Sequence, residues 1–322
     1  MRLGTFRRPD AHDLRPAVFV GNDSVLDLVS AARLLENRGT IAGSPDQLRA
    51  LEACGDGAWL AHDGIAWVRR LVAAHDGLSD AEKTLLPLNS VRIGPPITRP
   101  GKFIAAGRNY GQHLRESQAI WAARGHKVVG ATFPTAFVKF GSAIIATDES
   151  IQIPTNVEAV DYEIELVVVI GRSIRDVPVE RALECVAGYT ICNDVGARHI
   201  QKQEMEHQIG LVMSKNFPTF APLGPWIVTA DEITEPQALM LTLKVNGEVR
   251  QHASTQDMIF SVATLVSYWS RLGLEPGDMI STGTPSGVAL AMPEPERYYL
   301  KAGDLVEATI DKIGTLRNLV KG

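Results

Sequence analysis

The chain has 322 residues, of which 45% are hydrophobic, and its charged groups give a net charge of −5 at pH 7. This is the composition of a globular protein of one large or two ordinary domains, not of a disordered or fibrous chain. It has no basic footprint for nucleic acid, no apolar run long enough to span a membrane, and too few cysteines (Cys54, Cys185, Cys192) for a disulfide framework or zinc ribbon.

The opening MRLGTFRRPD has no apolar core of a secretory signal, so a cytoplasmic location is the expectation. MRLGTF and AVFVGND read as short strands. Ser24 is placed to cap a helix running through Leu35, with Asp27 at its N3 position and Gly39 past its end. Ser44-Pro45-Asp46-Gln47 and Ser79-Asp80-Ala81-Glu82 are further helix starts. These residues are punctuation and ask for no chemistry. A proline-rich connector from Pro87 to Gly101 then predicts a boundary between a small α+β domain, 1–95, and a larger domain, 100–322.

Beyond the connector, short β-branched runs dominate, from KFIAAG to LVEATI. Asn246-Gly247 is the strongest hairpin signal, and Glu275-Pro276-Gly277-Asp278 and Lys301-Ala302-Gly303-Asp304 each introduce a strand. One amphipathic helix is predicted over 257–271, with Ile259, Val262, Leu265, Val266 and Trp269 at helical spacing. The fold class is therefore α+β: a mostly antiparallel β-roll or barrel core with a small N-terminal α+β domain.

The segment from Asp161 to Ile170 carries the most chemistry. Alternate residues of a strand share a face, which puts Glu163 and Glu165 together, roughly 7 Å apart. At an effective dielectric of 20 their repulsion is about 2.4 kcal/mol before desolvation. Either the strand end reaches solvent, or arginine or lysine compensates, or one carboxyl is protonated, or a divalent cation binds. Asp194, where a strand gives way to a helix, is either a helix N-cap or a third acid. Three oxygen ligands without a cysteine or histidine cluster would suit Mg²⁺ or Mn²⁺ rather than Zn²⁺.

Other candidates stay open on spacing alone. Arg198 and Gln201 follow Asp194 at i+4 and i+7 and can share a helix face with it. Lys139, inside AFVKF, is a snorkelling strand residue or a charge aimed into a site. Lys215, judged alone, is a surface lysine. His113 and Glu116 are three apart. They form either a weak exposed pair or an imidazole oriented by a carboxylate for general-base work on water. The glycine-rich Ser281–Gly287 run is a plain loop or a turn presenting Thr284 and backbone N–H groups to an anion. The remaining histidines show no ligand spacing.

Together these segments resemble the fumarylacetoacetate hydrolase superfamily, in particular its two-domain bacterial members. The likeness covers residues 100–320 through GRNYGQHLRES, FVKFGSAI, IPTNVEAVDYEIELVVVIGR, AGYTICNDVGARHIQ, SKNFPTFAPLGPW, VNGEVRQ, ISTGTPSGVA and YLKAGDLVEATIDKIGTLRN. The resemblance implies a homodimer with a β-roll core and a metal, Mg²⁺ or Mn²⁺, held by Glu163, Glu165 and Asp194. It implies C–C bond chemistry on small 2-oxo or 2,4-dioxo acids, as in aromatic-compound or sugar-acid catabolism. The likeness makes His113 and Glu116 the water-activating dyad, and Lys139 the lysine that reaches the substrate. Arg198, Gln201, Lys215 and Thr284 would line the substrate pocket. Hydrolysis of an acylpyruvate-like acid is the primary expectation. Decarboxylation or tautomerisation of a 2-oxo or hydroxydienoate diacid is the alternative, and a silent metal-binding scaffold the third.

The sequence departs from the family pattern in three places. Gly196-Ala197-Arg198-His199 stands where Ser-Ala-Arg-Asp is usual, which removes a hydroxyl and changes a charge near the expected site. The segment after Glu116, SQAIWAARGHKVVGATFP, is long for the family's lid and carries Trp121. No acid precedes His113 to act as a fourth ligand.

Overall fold

The computed structural model describes residues 1–41, 45–79, 83–122, 130, 132–207 and 210–322, and only the backbone of Pro45 and Trp121. Its frame is a 12-stranded sheet. The path runs from Leu85–Pro87 through Ser24–Asp27, Arg15–Val20 and Arg2–Arg7 to Ala221–Thr229. It continues through Val186–Asn193, Ile164–Ile170, Met279–Ser281 and Phe103–Ala106 to Ala136–Val138, with Arg92–Gly94 and Ile144–Ile145 attached beside it. The first and last strands of this path do not pair, so the sheet is open and a closed barrel is not formed. Strands from both sides of the proline-rich connector share it, because Arg2–Arg7 pairs antiparallel with Ala221–Thr229. A second sheet of five strands joins Glu248–Ser254, Met240–Val245, Leu305–Ile310, Gly314–Lys321 and Ile151–Gln152.

The Ile164–Ile170 strand lies between two cores, and every residue in it is buried. Ile164, Leu166, Val168 and Ile170 face a core shared with the five-stranded sheet (Leu241, Leu243, Val306, Ala308) and with Val262, Leu265, Val266 and Trp269. Val167 and Val169 face a second core, built with the N-terminal helices through Leu28, Ala32, Leu35, Trp67, Val68 and Leu71. The period-2 alternation of a strand thus divides between two hydrophobic layers, which is why the run is apolar on both faces.

Several local readings change. Ser24–Asp27 is a strand, and the helix begins at Leu28 and runs to Asn37. Val25 and Leu26 pair with Phe19 and Val18, so sheet formation overrides the serine cap. Asp27 is the N-cap instead, accepting hydrogen bonds from the Val29 and Ser30 N–H groups and pairing with Arg15 at 2.7 Å. A helix over Pro45–Glu52 follows the second start, whose Ser44 lies outside the described residues, as do Asp80 to Glu82 of the third. His62–Asp76 is a further 15-residue helix, with Ile65, Val68 and Leu71 buried at helical spacing. The later helix spans only Val262–Ser270, because Ser261 caps it by accepting from the Thr264 N–H. Ile259 consequently lies outside that helix and is exposed. Asn246 and Gly247 both have positive φ (52° and 80°) and close a two-residue hairpin between Val245 and Glu248. All three cysteines are free and buried. No helix among the described residues is long and apolar enough to cross a membrane.

Candidate metal and active site

The acids are brought together by strand register. Ile164 pairs with Asn193 across the antiparallel ladder, so Glu163 lies opposite Asp194. The Asp194 N–H donates to the Glu163 carbonyl at 2.8 Å, and the Glu163 N–H donates to Asn193 Oδ1 at 2.9 Å. Glu165 is two residues further along on the Glu163 side. Glu163, Glu165 and Asp194 are all buried, and each offers a carboxylate oxygen within 4.8 Å of the others. The strand is interrupted at Tyr162-Glu163, so Glu163 sits just before Ile164–Ile170 rather than inside it. Asp194 does not cap the next helix. That role falls to Ala197, whose side chain makes no capping bond, and the helix is Arg198–Glu206.

Cations surround two of the acids. Arg198 NH2 meets Glu163 Oε1 at 2.6 Å, and Lys215 Nζ lies 2.5 Å from Glu163 Oε2 and 2.8 Å from Asp194 Oδ2. Lys139 Nζ takes the other Asp194 oxygen at 2.7 Å. Burial opposes ionisation of Glu163, but Lys215 and Arg198 outweigh it and hold its carboxyl down at about 2. The same two acids keep the buried Lys215 ammonium protonated, raising its pKa against the cost of burial.

Glu165 has no such partner. Its Oε2 accepts from the Ser281 hydroxyl and from the Gly283 N–H at 3.1 Å. Gly283 has φ of +91°, and a Cβ there would come within 3.0 Å of Asn109 Cβ, so a glycine is required to aim that N–H at the carboxylate. Burial, followed by the negative charge of Asp194 and Glu163, pushes the Glu165 carboxyl well above the usual carboxylate range. This arrangement fits a hard divalent cation. The donors are all carboxylate oxygens, no histidine or cysteine joins the group among the described residues, and one buried carboxylate lacks a compensating charge. The oxygens of Glu163 and Asp194 would share a cation with their lysine and arginine partners, as carboxylate lone pairs allow.

The residues singled out in the sequence converge, with one exception. His113, Glu116, Glu163, Glu165, Asp194, Arg198, Gln201, Lys215 and Thr284 line one cavity of about 220 Å³. Lys139 does not line it. Its ammonium is engaged by Asp194 and by the carbonyls of Lys215 and Phe220, which uses all three of its donors, so it does not reach toward a substrate. Lys215 is buried between the acids rather than on the surface. Arg198 and Gln201 do share a helix face, with NH1 donating to Gln201 Oε1 at 2.8 Å, but Asp194 precedes that helix and is not on it. Thr284 Oγ1 donates to the Ile164 carbonyl at 3.0 Å and accepts from Gln251 Nε2 at 2.9 Å.

His113 and Glu116 lie on the Gly111–Ala122 helix. Nδ1 and Oε2 are 3.6 Å apart, and both atoms are buried without a hydrogen-bond partner. That separation is beyond a hydrogen bond, though a catalytic pair can tighten when substrate closes the site. The lid reading concerns 117–134, of which 123–129 and 131 lie outside the described residues, as does the Trp121 side chain.

Asp161 was not among the sequence candidates. It is fully buried, meets Arg198 Nε at 2.7 Å, and accepts from the backbone N–H groups of Ala289 and Leu290, which lead into the cavity wall. The alternation Asp161, Glu163, Glu165 was the signal for it. The two departures in the 196–199 motif separate. A Cβ at Gly196 would lie 3.2 Å from Lys215 Nζ, which places Gly196 against the site. His199 instead faces the Glu158 carbonyl at 2.7 Å, outside the cavity.

Residues 102–321 match the family model described as fumarylacetoacetate (FAA) hydrolase C-terminal. The chain is 41% identical over 245 residues to 2,4-didehydro-3-deoxy-L-rhamnonate hydrolase of Sphingomonas sp. (strain SKA58), covering 74% of this chain and 81% of that one. Among solved structures, 5-carboxymethyl-2-hydroxymuconate delta-isomerase from Mycobacterium smegmatis is 31% identical, with a TM-score of 0.69 over 100% of this chain and 98% of that one. Maleylpyruvate hydrolase from Sphingobium sp. SYK-6, in complex with manganese(II) and pyruvate, is 28% identical, with a TM-score of 0.72 over 100% and 99%.

Proposed function

This chain belongs to the fumarylacetoacetate hydrolase family, and from that premise we propose that it is a divalent-cation-dependent hydrolase cleaving a C–C bond in a small 2,4-dioxo, acylpyruvate-like acid. The observation that carries this reading is the meeting of three buried acids and a His–Glu pair on one small cavity. Glu163, Glu165 and Asp194 would hold Mg²⁺ or Mn²⁺. Bound there, such a cation supplies Lewis-acid polarisation of the substrate's oxo-acid oxygens.

The protein's own groups do the rest. Glu116 faces Nδ1 of His113 and so orients the ring, leaving Nε2 to take a proton from water. The water oxygen adds to the distal acyl carbon, the bond to the pyruvate carbon breaks, and the proton taken by His113 is available to the departing carbon. Lys215 keeps Glu163 ionised, pairs with Asp194, and places an ammonium beside the developing negative charge. Lys139 acts as a positioning residue behind Asp194. The described cavity-lining residues all come from 106 onward, which supports a catalytic unit at 100–322, with 1–95 supplying packing. We read the molecule as a homodimer. The exposed Val138, Phe140, Val212 and Met213 flank Asn216, which hydrogen-bonds both segments, and would form part of the surface a second copy covers.

An ultraviolet screen of acylpyruvates, fumarylpyruvate and oxaloacetate with Mg²⁺, Mn²⁺ or EDTA tests this. Loss of enol absorbance with release of pyruvate, abolished by EDTA and lowered on the order of 10²–10⁴-fold in Glu116→Gln, is the expected result. The similarity to an isomerase favours a second reading on the same carboxylates. Enol loss without pyruvate, or carbon dioxide release from oxaloacetate, would replace the hydrolase assignment.

A further inference from the structure

The cavity holds a cation that the proposed hydrolysis does not use. Arg198, Lys215 and Lys139 are each within 2.8 Å of a carboxylate oxygen. Arg108 lines the same cavity, yet its guanidinium makes no hydrogen bond or ion pair among the described residues. Burial alone acts on its pKa, pushing it down, with no acid to offset that cost. A half-buried guanidinium left in this state is poised for an anion that arrives with a ligand.

The backbone supports the same conclusion. Arg108 has φ of +54°, in the left-handed region that disfavours an arginine. Neighbouring contacts fix the turn from both sides. Asn109 Nδ2 donates to the carbonyls of Phe260 at 3.0 Å and Thr282 at 2.9 Å, and Asn109 Oδ1 accepts from the Phe260 N–H at 2.8 Å. The Gly107 N–H donates to the Thr135 carbonyl at 2.9 Å. The residue is therefore held in an unfavourable conformation at the cavity wall, where no described residue pairs with its guanidinium.

Resting on the hydrolase reading above, we propose that Arg108 is a binding residue for a second anionic group, so that the preferred substrate is a compact 2-oxo acid with a carboxylate at each end. One carboxylate would go with the oxo group to the cation that Glu163, Glu165 and Asp194 would hold, and the other to Arg108. A volume of about 220 Å³ lies below the ~300–1,000 Å³ of common ligand sites, which restricts the substrate to a short chain.

The test compares the Mn²⁺-loaded wild type with Arg108→Gln and Arg108→Gly. Turnover of fumarylpyruvate is measured against acetylpyruvate, and binding of ketomalonate against pyruvate by calorimetry. The expected result is a wild-type preference for each dianion that falls roughly 10- to 100-fold in both variants, through KM more than kcat. Arg108→Gly, which relieves the positive φ, should melt above wild type while losing the same preference. A dianion-to-monoanion ratio unchanged in both variants, or a wild type that binds neither acid, overturns the assignment of Arg108. If neither substrate is turned over but the ketomalonate preference still depends on Arg108, the hydrolase reading fails and the anion site stands.

Discussion

Glu165 is the acid whose charge the fold leaves unbalanced, and Glu165→Gln is the perturbation that isolates it. The carboxylate oxygens lie within 4.8 Å of one another, and two unit charges at that limit repel by roughly 3.5 kcal/mol at an effective dielectric of 20. Glu165 faces two such neighbours, and Lys215 offsets part of the repulsion, so about one carboxylate's worth, ~3 kcal/mol, remains. Because its folded pKa is raised, Glu165 contributes stability that is fully present below the unfolded value of 4.5 and is lost as pH rises through the folded value. The cation-free wild type should therefore lose stability relative to Glu165→Gln as pH rises from 4.5 to 8. At about 2 °C per kcal/mol the gap in melting temperature should reach on the order of 6 °C. Mn²⁺ should reverse the trend, because the ionised Glu165 is the form that accepts a cation. Its stabilising shift should grow with pH in wild type and be small in the variant. Melts in EDTA and in MnCl₂ across this range, with calorimetry in two buffers to count released protons, make the measurement. A wild type whose stability tracks the variant at every pH, or a variant that keeps the full Mn²⁺ shift, would refute the unbalanced-charge argument.

Lys139→Met removes one cation from a buried cluster and leaves Asp194 Oδ1 without its ionic partner, so the cation-free protein should lose about 3 kcal/mol. The cluster becomes more negative, so the Mn²⁺-induced rise in melting temperature should exceed that of wild type; a defect confined to KM would instead place Lys139 on the substrate. Gly196→Ser puts a Cβ 3.2 Å from Lys215 Nζ, which cannot retreat without leaving Glu163 or Asp194. A loss of roughly 1–3 kcal/mol in chemical denaturation is expected, and a variant as stable as wild type would show that the lysine has room to move.

Part of the site was legible because it depends on a repeat of two. The alternation of Glu163 and Glu165 is visible in any reading of an apolar strand, as are the Asn246-Gly247 hairpin and the family motifs, whereas Asp161, on the same alternation, is recognised only from its buried pairing with Arg198. Lys139 and Lys215 could not be told apart in the same way. One lies in an apolar run and the other in a polar loop, yet both are buried against Asp194, and the one from the loop lines the cavity. The N-terminal helix start shows the same limit. Ser24 and Asp27 are both competent caps, and only the pairing of Val25 and Leu26 with the neighbouring strand decides for Asp27.

The amino-acid sequence by itself therefore determined the family, the acids and the predominance of strands, since these follow from residue identity and short-range period. Tertiary structure alone decided which charges compensate one another. The register that sets Glu163 opposite Asp194, the lysine between them and the unbalanced Glu165 beside them all join residues distant in the chain. Electrostatic energy depends on distance in space and on burial, and neither quantity is written in the spacing of residues along the chain.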